Sequence, residues 1–285
     1  MRIQGMRRSG NVEDRRGLSG GGKLAVGGGL GGIVIAVLFF LLGGDSGQIL
    51  ETLGQAGGSQ AAGEARPLSE KDKEMGDFVS VVLADTEDVW SAVFRESGRT
   101  YRAPKLVLFT EATSSACGYA GAASGPFYCS GDEKVYLDLG FFEEMQRKLG
   151  APGDFALAYV IAHEVGHHVQ NLLGITERVM GQQGRLSERD FNQQMVRLEL
   201  QADFLSGVWA HYAQRTRDFI EAGDIEEGMN AASAVGDDRI MKKTQGYVVP
   251  DAFTHGTSEQ RVRWFRKGLE TGDLAQGDTF QAKNL

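Results

Sequence analysis

The chain has 285 residues, of which 30 are basic and 38 acidic, so its formal net charge is -8, and two residues are cysteines. Hydrophobic residues make up 41% of it, which can support a packed core and excludes a wholly disordered chain. The acidic balance argues against nucleic acid as a partner, and two cysteines are too few for a disulfide scaffold or a four-cysteine zinc module.

The first 44 residues differ in character from the rest. Residues 1–23 carry six basic and two acidic side chains, a local charge of +4 (6 minus 2). Residues 24–44 are uncharged, and a helix needs about 20 such residues to cross ~30 Å of hydrocarbon. We therefore predict a basic cytoplasmic segment at 1–23, a transmembrane helix at 24–44, and the rest of the chain in the periplasm or outside the cell.

A cleaved secretory signal is the alternative to a retained single-pass anchor. The strongly apolar residues 33–42 are short enough for a signal, and small residues follow at Gly44 and Ser46. Small and polar residues at 45–66 predict a flexible linker. The folded domain is then expected over 67–285.

The elements of this domain can be predicted in chain order. Ser69 followed by Asp72 is a capping-box pattern, and apolar residues at helical spacing continue to Phe94. Strands are predicted at 105–110 and 134–139, each flanked by turn residues. Most of the remaining chain is predicted to be helical. The fold class is therefore α+β, mostly helical, with a small sheet.

A helix predicted over 154–173 contains the HExxH pattern, from His163 to His167. Residues four apart lie only ~40° apart around a helix, so both imidazoles leave one face and can bind one Zn²⁺. Glu164 is positioned to accept a proton from water rather than to bind the metal. The alternative is a helix whose histidines are buried and hydrogen-bonded, but an apolar helix gains nothing from such a polar cluster.

A catalytic zinc site needs a third protein ligand. The long helix predicted over 188–215 contains Glu199 and Asp203, which are four apart and share a face. We predict Glu199 as the third ligand and Asp203 as the acceptor of a ligand histidine's spare N–H. An exposed acidic pair on an amphipathic helix is the alternative. His168 lies ~100° around its helix from His167, which favours packing or hydrogen bonding over ligation.

Hydrolysis also needs a donor that faces the developing oxyanion. His255, in a loop before a predicted helix, is our candidate for this donor. Arg261 is predicted either to hold His255 or to bind a substrate carboxylate. The alternative is a helix-entry loop with a capping Ser258 and a solvated arginine.

Several long motifs resemble a known family. They are PKLVLF (104–109), CGYA (117–120), GPFYC (125–129), VYLDL (135–139), AYVIAHEVGHHVQNLLGI (158–175), LELQAD (198–203) and THGTSEQRVRWF (254–265). On these motifs the chain resembles the bacterial putative neutral zinc metallopeptidase family, whose members are typically single-pass membrane proteins. The resemblance implies a gluzincin-like zinc peptidase with His163, His167 and Glu199 as zinc ligands. It implies Glu164 as the base and Asp203 behind the ligands.

The segment around His255 has a further resemblance. THGTSEQR is similar to the THPxxxxR segment of membrane CAAX-type proteases, with Gly256 in place of the proline. In those proteases the histidine and arginine serve the active site, which supports roles for His255 and Arg261. Outside the cytoplasm, Cys117 and Cys129 are expected to form a disulfide that contributes about 3 kcal/mol, with buried free thiols as the alternative.

These observations predict a zinc-dependent endopeptidase that acts on a peptide or protein substrate. Its N-terminal helix is predicted to attach it to the membrane. An edge strand can bind extended peptide by strand addition, and 134–139 is our candidate edge. One alternative is a membrane-anchored, zinc-stabilised binding protein whose site is closed by His255 or His168. Another is a hydrolase of a non-peptide amide. The sequence does not determine the oligomeric state.

Overall fold

The computed structural model describes residues 1–16, 67–121, 125–217 and 219–285. The strands are Val12–Asp14 (β1), Lys105–Phe109 (β2), Ala112–Ser115 (β3), Gly118–Gly121 (β4), Phe127–Cys129 (β5) and Lys134–Asp138 (β6). The helices are Glu70–Glu96 (α1), Gly140–Glu144 (α2), Asp154–Leu172 (α3), Ile175–Met180 (α4), Glu188–Arg217 (α5), Asp224–Ala234 (α6), Asp237–Thr244 (α7) and Ser258–Thr271 (α8). Shorter helical turns are Met145–Leu149, Pro250–Ala252 and Leu274–Gln276. The fold is thus a mostly helical α+β domain, as predicted.

Local sequence explains where the main elements begin. The side chain of Ser69 accepts the backbone N–H of Asp72, which completes the predicted capping box at the start of α1. Thr257 and Gln260 form a second capping box that begins α8. The predicted strands correspond to β2 and β6, and the predicted helix over 154–173 corresponds to α3 within one residue.

Four strands form one sheet in the order β1-β2-β6-β5. β1, β2 and β6 are parallel, whereas β5 runs antiparallel to β6. Because β6 is paired on both sides, the prediction that 134–139 forms a substrate-binding edge is wrong. Among the described strands, β5 is the edge that contacts the HExxH helix α3.

Residues 1–16 belong to the fold of the domain, which differs from the predicted separate segment at 1–23. β1 pairs with β2, and the backbone N–H of Ser9 donates to the carbonyl of Ser80 on α1. Arg7 forms ion pairs with Glu87 and Asp88 on the same helix. Cleavage of an N-terminal signal would therefore remove a strand from the sheet.

The predicted transmembrane helix at 24–44 and the linker at 45–66 lie outside the described residues. Among the residues that are described, no helix is long and apolar enough to cross a bilayer. The pairing of β1 with β2 places residues 1–16 and 67–285 on the same side of any membrane. A single crossing at 24–44 would place them on opposite sides. The predicted topology and this strand pairing therefore exclude each other in one chain.

Close approaches at two glycines bring the site helices together. A Cβ added at Gly166, between the two histidines of HExxH, would lie 3.0 Å from the carbonyl oxygen of Ala202 on α5. A Cβ at Gly207 of α5 would lie 2.0 Å from the carbonyl oxygen of Phe265 on α8. At Gly207 only glycine allows the backbones to approach this closely, whereas at Gly166 a Cβ would be tight and would require its neighbour to shift slightly. α5 is therefore packed directly between the HExxH helix and α8.

Candidate metal centre

Three side chains from two helices converge at one point. His163 and His167 leave the same face of α3, and Glu199 reaches them from α5. One donor atom from each of the three lies within 4.8 Å of the others. Nε2 of His163 is 3.2 Å from Oε2 of Glu199, and Nε2 of His167 is 3.5 Å from Oε1. The structure thus brings together the three residues predicted as ligands.

Hydrogen bonds on the far side of each imidazole orient the ring. Nδ1 of His163 donates to Oδ1 of Asp203 at 2.9 Å, and Nδ1 of His167 donates to Oε1 of Gln170 at 2.9 Å. Because these oxygens can only accept, each Nδ1 carries a proton, and Nε2, which faces Glu199, is the nitrogen that would bind a metal. Two imidazole nitrogens and one carboxylate oxygen are a donor set that Zn²⁺ prefers in catalytic sites. The side chains therefore fit a zinc ion.

The electrostatics also favour a cation here. Burial lowers the pKa of His163, but the carboxylates of Asp203 and Glu199 outweigh burial and raise that pKa to about 9. Burial raises the pKa of Glu199, but the imidazoles, beginning with His167, outweigh it and hold the pKa well below its usual range. The point where the three donors meet therefore attracts positive charge.

Arg261 has neither of the two roles predicted for it, which were to hold His255 or to bind a substrate carboxylate. Its Nε and Nη2 donate to the two carboxylate oxygens of Asp203 at 2.8 and 2.9 Å, and Nη1 donates to the carbonyl of Val235. The hydroxyl of Tyr159 donates to the same carboxylate. Asp203 is fully buried and Arg261 nearly so. Arg261 therefore fixes the carboxylate behind His163, and its guanidinium neither contacts His255 nor is free to bind a substrate carboxylate.

Glu164 is buried beside the ligands and lines the same cleft. It is not one of the three converging donors. Burial raises the pKa of its carboxyl group, and the nearby imidazoles of His167 and His163 oppose this only in part. A carboxylate with a raised pKa is suited to exchange a proton near neutral pH.

His255 lies in the same cleft and has a partner that sequence reasoning missed. Its Nδ1 is 3.2 Å from Oδ1 of Asp237, whose other oxygen accepts the backbone N–H groups of Thr254, His255 and Gly256 at 2.8, 2.7 and 3.1 Å. Asp237 thus fixes both the loop and the imidazole. An acidic residue in the first turn of a helix is so common that only proximity in the fold reveals this role.

His168 connects the HExxH helix to the edge strand. Its Nε2 donates to the carbonyl of Arg102 at 2.6 Å, so Nδ1 is the acceptor and Tyr128 of β5 donates its hydroxyl proton to it at 3.0 Å. Because both nitrogens are used, His168 is not available as a ligand. Its position agrees with the packing and hydrogen-bonding role predicted for it.

The converging residues lie in a cleft of about 600 Å³. β5 contributes Phe127 and Tyr128 to its lining, and α3 contributes Tyr159 and Val160. α4, α5 and the turn between them contribute Met180, Leu186, Phe191, Met195 and Leu198. A disulfide joins Cys117 in the β3–β4 turn to Cys129 of β5. The edge strand is therefore fastened to the hairpin as well as to α3.

The model of the family described as "Putative neutral zinc metallopeptidase" matches residues 1–280. The chain belongs to this family. The match includes β1 as well as the helices that carry the converging residues. The description of the family includes zinc, which agrees with the donor set described above.

Two relatives extend this finding. The chain is 48% identical over 287 residues to "Uncharacterized protein YpfJ" of Escherichia coli K12, and the match covers 98% of this chain and 99% of that relative. It is 40% identical over 219 residues to "Uncharacterized protein Rv2575" of Mycobacterium tuberculosis, over 73% of each chain. No solved structure matches the chain.

Proposed function

We propose that this protein is a gluzincin-like, zinc-dependent endopeptidase. The observation that carries the proposal is the convergence of His163, His167 and Glu199 beside Glu164, in a cleft bounded by an edge strand. In gluzincin-like sites two histidines of HExxH and a downstream glutamate bind the metal. The family description supports the same chemistry.

In the proposed mechanism, the side chains divide the work. Zinc held by the three ligands would supply Lewis acidity, which polarises a carbonyl and acidifies a water molecule. Glu164 takes the proton of the attacking water and passes it to the leaving amine. His255, oriented by Asp237, donates an N–H to the oxyanion that develops on the carbonyl. Asp203 and Arg261 keep His163 in the correct tautomer.

The edge strand supplies a second part of the proposal. β5 lies beside α3 and is paired on one side only among the described strands. An extended peptide can add to such an edge through backbone hydrogen bonds, which brings its carbonyl groups close to the metal ligands. Peptide binding by β5 therefore replaces the predicted binding by 134–139.

Within the described residues, the converging group contains three donors and no fourth side chain. His168 uses both ring nitrogens elsewhere, and His255 is not among the converging donors. An open coordination position is typical of catalytic zinc, whereas structural zinc usually has four protein ligands. This arrangement favours catalysis over a closed, zinc-stabilised binding protein.

We also propose that the domain works outside the cytoplasm, because the disulfide between Cys117 and Cys129 is typical of an oxidising compartment. The proposal includes membrane attachment through residues 24–44 only if β1 and the rest of the domain stay on the same side of the membrane.

The test uses the full chain with its zinc content measured. The wild type, Glu164→Gln and Glu177→Gln are incubated at neutral pH with a diverse peptide mixture, and products are identified by mass spectrometry. Glu177 is exposed on α4 outside the cleft and serves as the matched control. We expect Glu164→Gln to retain zinc and to lose a factor of about 10² to 10⁴ in turnover. Equal turnover in all three proteins would refute the role of Glu164.

A further inference from the structure

Exposed apolar side chains gather beside the cleft. Four of the five large apolar residues that are exposed among the described residues lie in two segments, of which one lines the cleft and the other is joined to α5 through Asp251. They are Leu186, Tyr247, Val248 and Val249. The fifth is Tyr119 on β4. Single exposed apolar residues need no explanation, but a group of them indicates a contact surface.

Both segments are connected to the start of α5. Leu186, in the turn before α5, lines the cleft itself. The segment 247–249 is followed by Asp251, whose carbonyl accepts from Asn192 at 3.1 Å and whose carboxylate pairs with Arg189 at 3.1 Å. Asn192 also lines the cleft, and six residues after Val249 the chain reaches His255. We call Leu186 and residues 247–249 the apolar rim.

The interior of the cleft is also mostly apolar. Phe191, Met195 and Leu198 of α5 and Met180 of α4 form its helical wall. Methionine side chains adapt their shape to different apolar partners. A polar side chain placed against this wall would lose its water without gaining a hydrogen bond, which costs free energy. The opposite boundary is β5, whose free edge suits an extended backbone.

From this continuity we infer the substrate class: an extended polypeptide segment with large apolar side chains, which fill the cleft and contact the apolar rim. That the bound segment is a substrate rests on the proposed peptidase function, but the binding itself does not require hydrolysis. A folded polar surface would leave both the rim and the wall exposed to water. The substrate is therefore a protein segment that is unfolded or that exposes an apolar stretch.

The test measures binding and cleavage separately. Two fluorescein-labelled 12-residue peptides of equal net charge are used, one with leucine and phenylalanine at alternate positions and one with serine and asparagine there. Fluorescence anisotropy with the zinc-loaded Glu164→Gln protein gives the two dissociation constants. We expect the apolar peptide to bind at least 10-fold more tightly. The triple variant Tyr247→Ser, Val248→Ser, Val249→Ser should weaken that binding several-fold, whereas Tyr119→Ser, at a site of similar exposure, should not.

Each outcome decides one statement. Equal affinities for the two peptides, or equal losses in the triple variant and in Tyr119→Ser, would overturn the inference. Cleavage of both peptides at equal rates by the wild type would overturn it while leaving the peptidase function intact. Selective binding of the apolar peptide without cleavage would support the inference while contradicting the proposed peptidase function. Because the rim residues are exposed, a folded triple variant is expected and is checked by its thermal transition.

Discussion

Two buried arginines of this chain each hold a carboxylate through paired hydrogen bonds, but the two carboxylates differ in their exposure to solvent. Arg16 donates two hydrogen bonds to Asp14, two residues away in the N-terminal segment, and the side chain of Asp14 is 37% exposed. Arg261 donates two hydrogen bonds to Asp203, 58 residues away on another helix, and the side chain of Asp203 is 0% exposed. The first pair shapes a local segment that is attached to the domain by many contacts. The second pair fixes the orientation of His163 in the candidate metal centre, so the same kind of bond serves attachment in one region and the proposed site in the other.

Deletion of residues 2–16 tests the attachment side of this comparison and has the largest expected effect. The deletion removes β1 and the contacts of Ser9 and Arg7 with α1. Loss of several hydrogen bonds at ~0.5–1.5 kcal/mol each lowers the free energy of unfolding by about 5 kcal/mol. Calorimetry should show Tm reduced by roughly 10–20 °C. An unchanged Tm would mean that the N-terminal segment is independent of the domain.

The substitution Arg261→Met should come next, because it leaves the buried carboxylate of Asp203 without its cation. Loss of one partner of a buried pair costs about 3–5 kcal/mol. Arg16→Met is the matched control. Arg16 is as buried as Arg261 and also donates to the carbonyl of Asp72, but its partner Asp14 stays in contact with solvent, so a smaller loss is expected. Urea unfolding of both variants gives the two values. Equal losses would contradict the distinction drawn between the regions.

The substitution Asp237→Asn tests the role of His255 in the candidate site through the pH dependence of turnover. Burial lowers the pKa of His255, but the carboxylates of Asp237 and Glu199 outweigh it and raise the pKa. The cationic donor is therefore kept to higher pH, and turnover should fall as the pH rises through that raised pKa. Without the Asp237 carboxylate the alkaline limb should move to lower pH. The acid limb, set by Glu164, should stay in place.

Asp238→Asn is the control for this substitution, because the Asp238 carboxylate binds Ser258 and not His255. Its pH profile should match that of the wild type. An alkaline limb that responds equally to both substitutions would contradict the assignment of Asp237 as the partner of His255.

Tyr128→Phe has the smallest expected effect. It removes the hydrogen bond to His168 and leaves the ring in the cleft, so the stability cost is about 1 kcal/mol. We expect an unchanged zinc content and a KM raised a few-fold, because the edge strand is less firmly held. A reduced zinc content with an unchanged KM would show that Tyr128 acts on the metal centre instead.

The same contrast explains what the sequence could predict. Helical spacing places His163 and His167 on one face and Glu199 and Asp203 on another, and the need of zinc for a third ligand predicted that these faces meet. The partner of Arg261 depends on how α8 packs on α5, which spacing within one helix does not determine. Asp237 depends on a loop folding back over the start of α7.

The sheet was less predictable than the helices. β1 has three residues, two of them acidic, and pairs with a strand more than 90 residues away. Such a strand has no alternating apolar pattern that could distinguish it from a basic cytoplasmic segment. β5 is equally short, and only its pairing with β6 shows that it forms the edge beside α3.

The most direct test of the metal centre is anomalous diffraction at the zinc absorption edge from crystals of the full chain grown with zinc. We predict a single strong peak about 2.0–2.2 Å from Nε2 of His163, Nε2 of His167 and a carboxylate oxygen of Glu199. A peak on other side chains, with these three residues free of metal in a zinc-saturated crystal, would contradict the account.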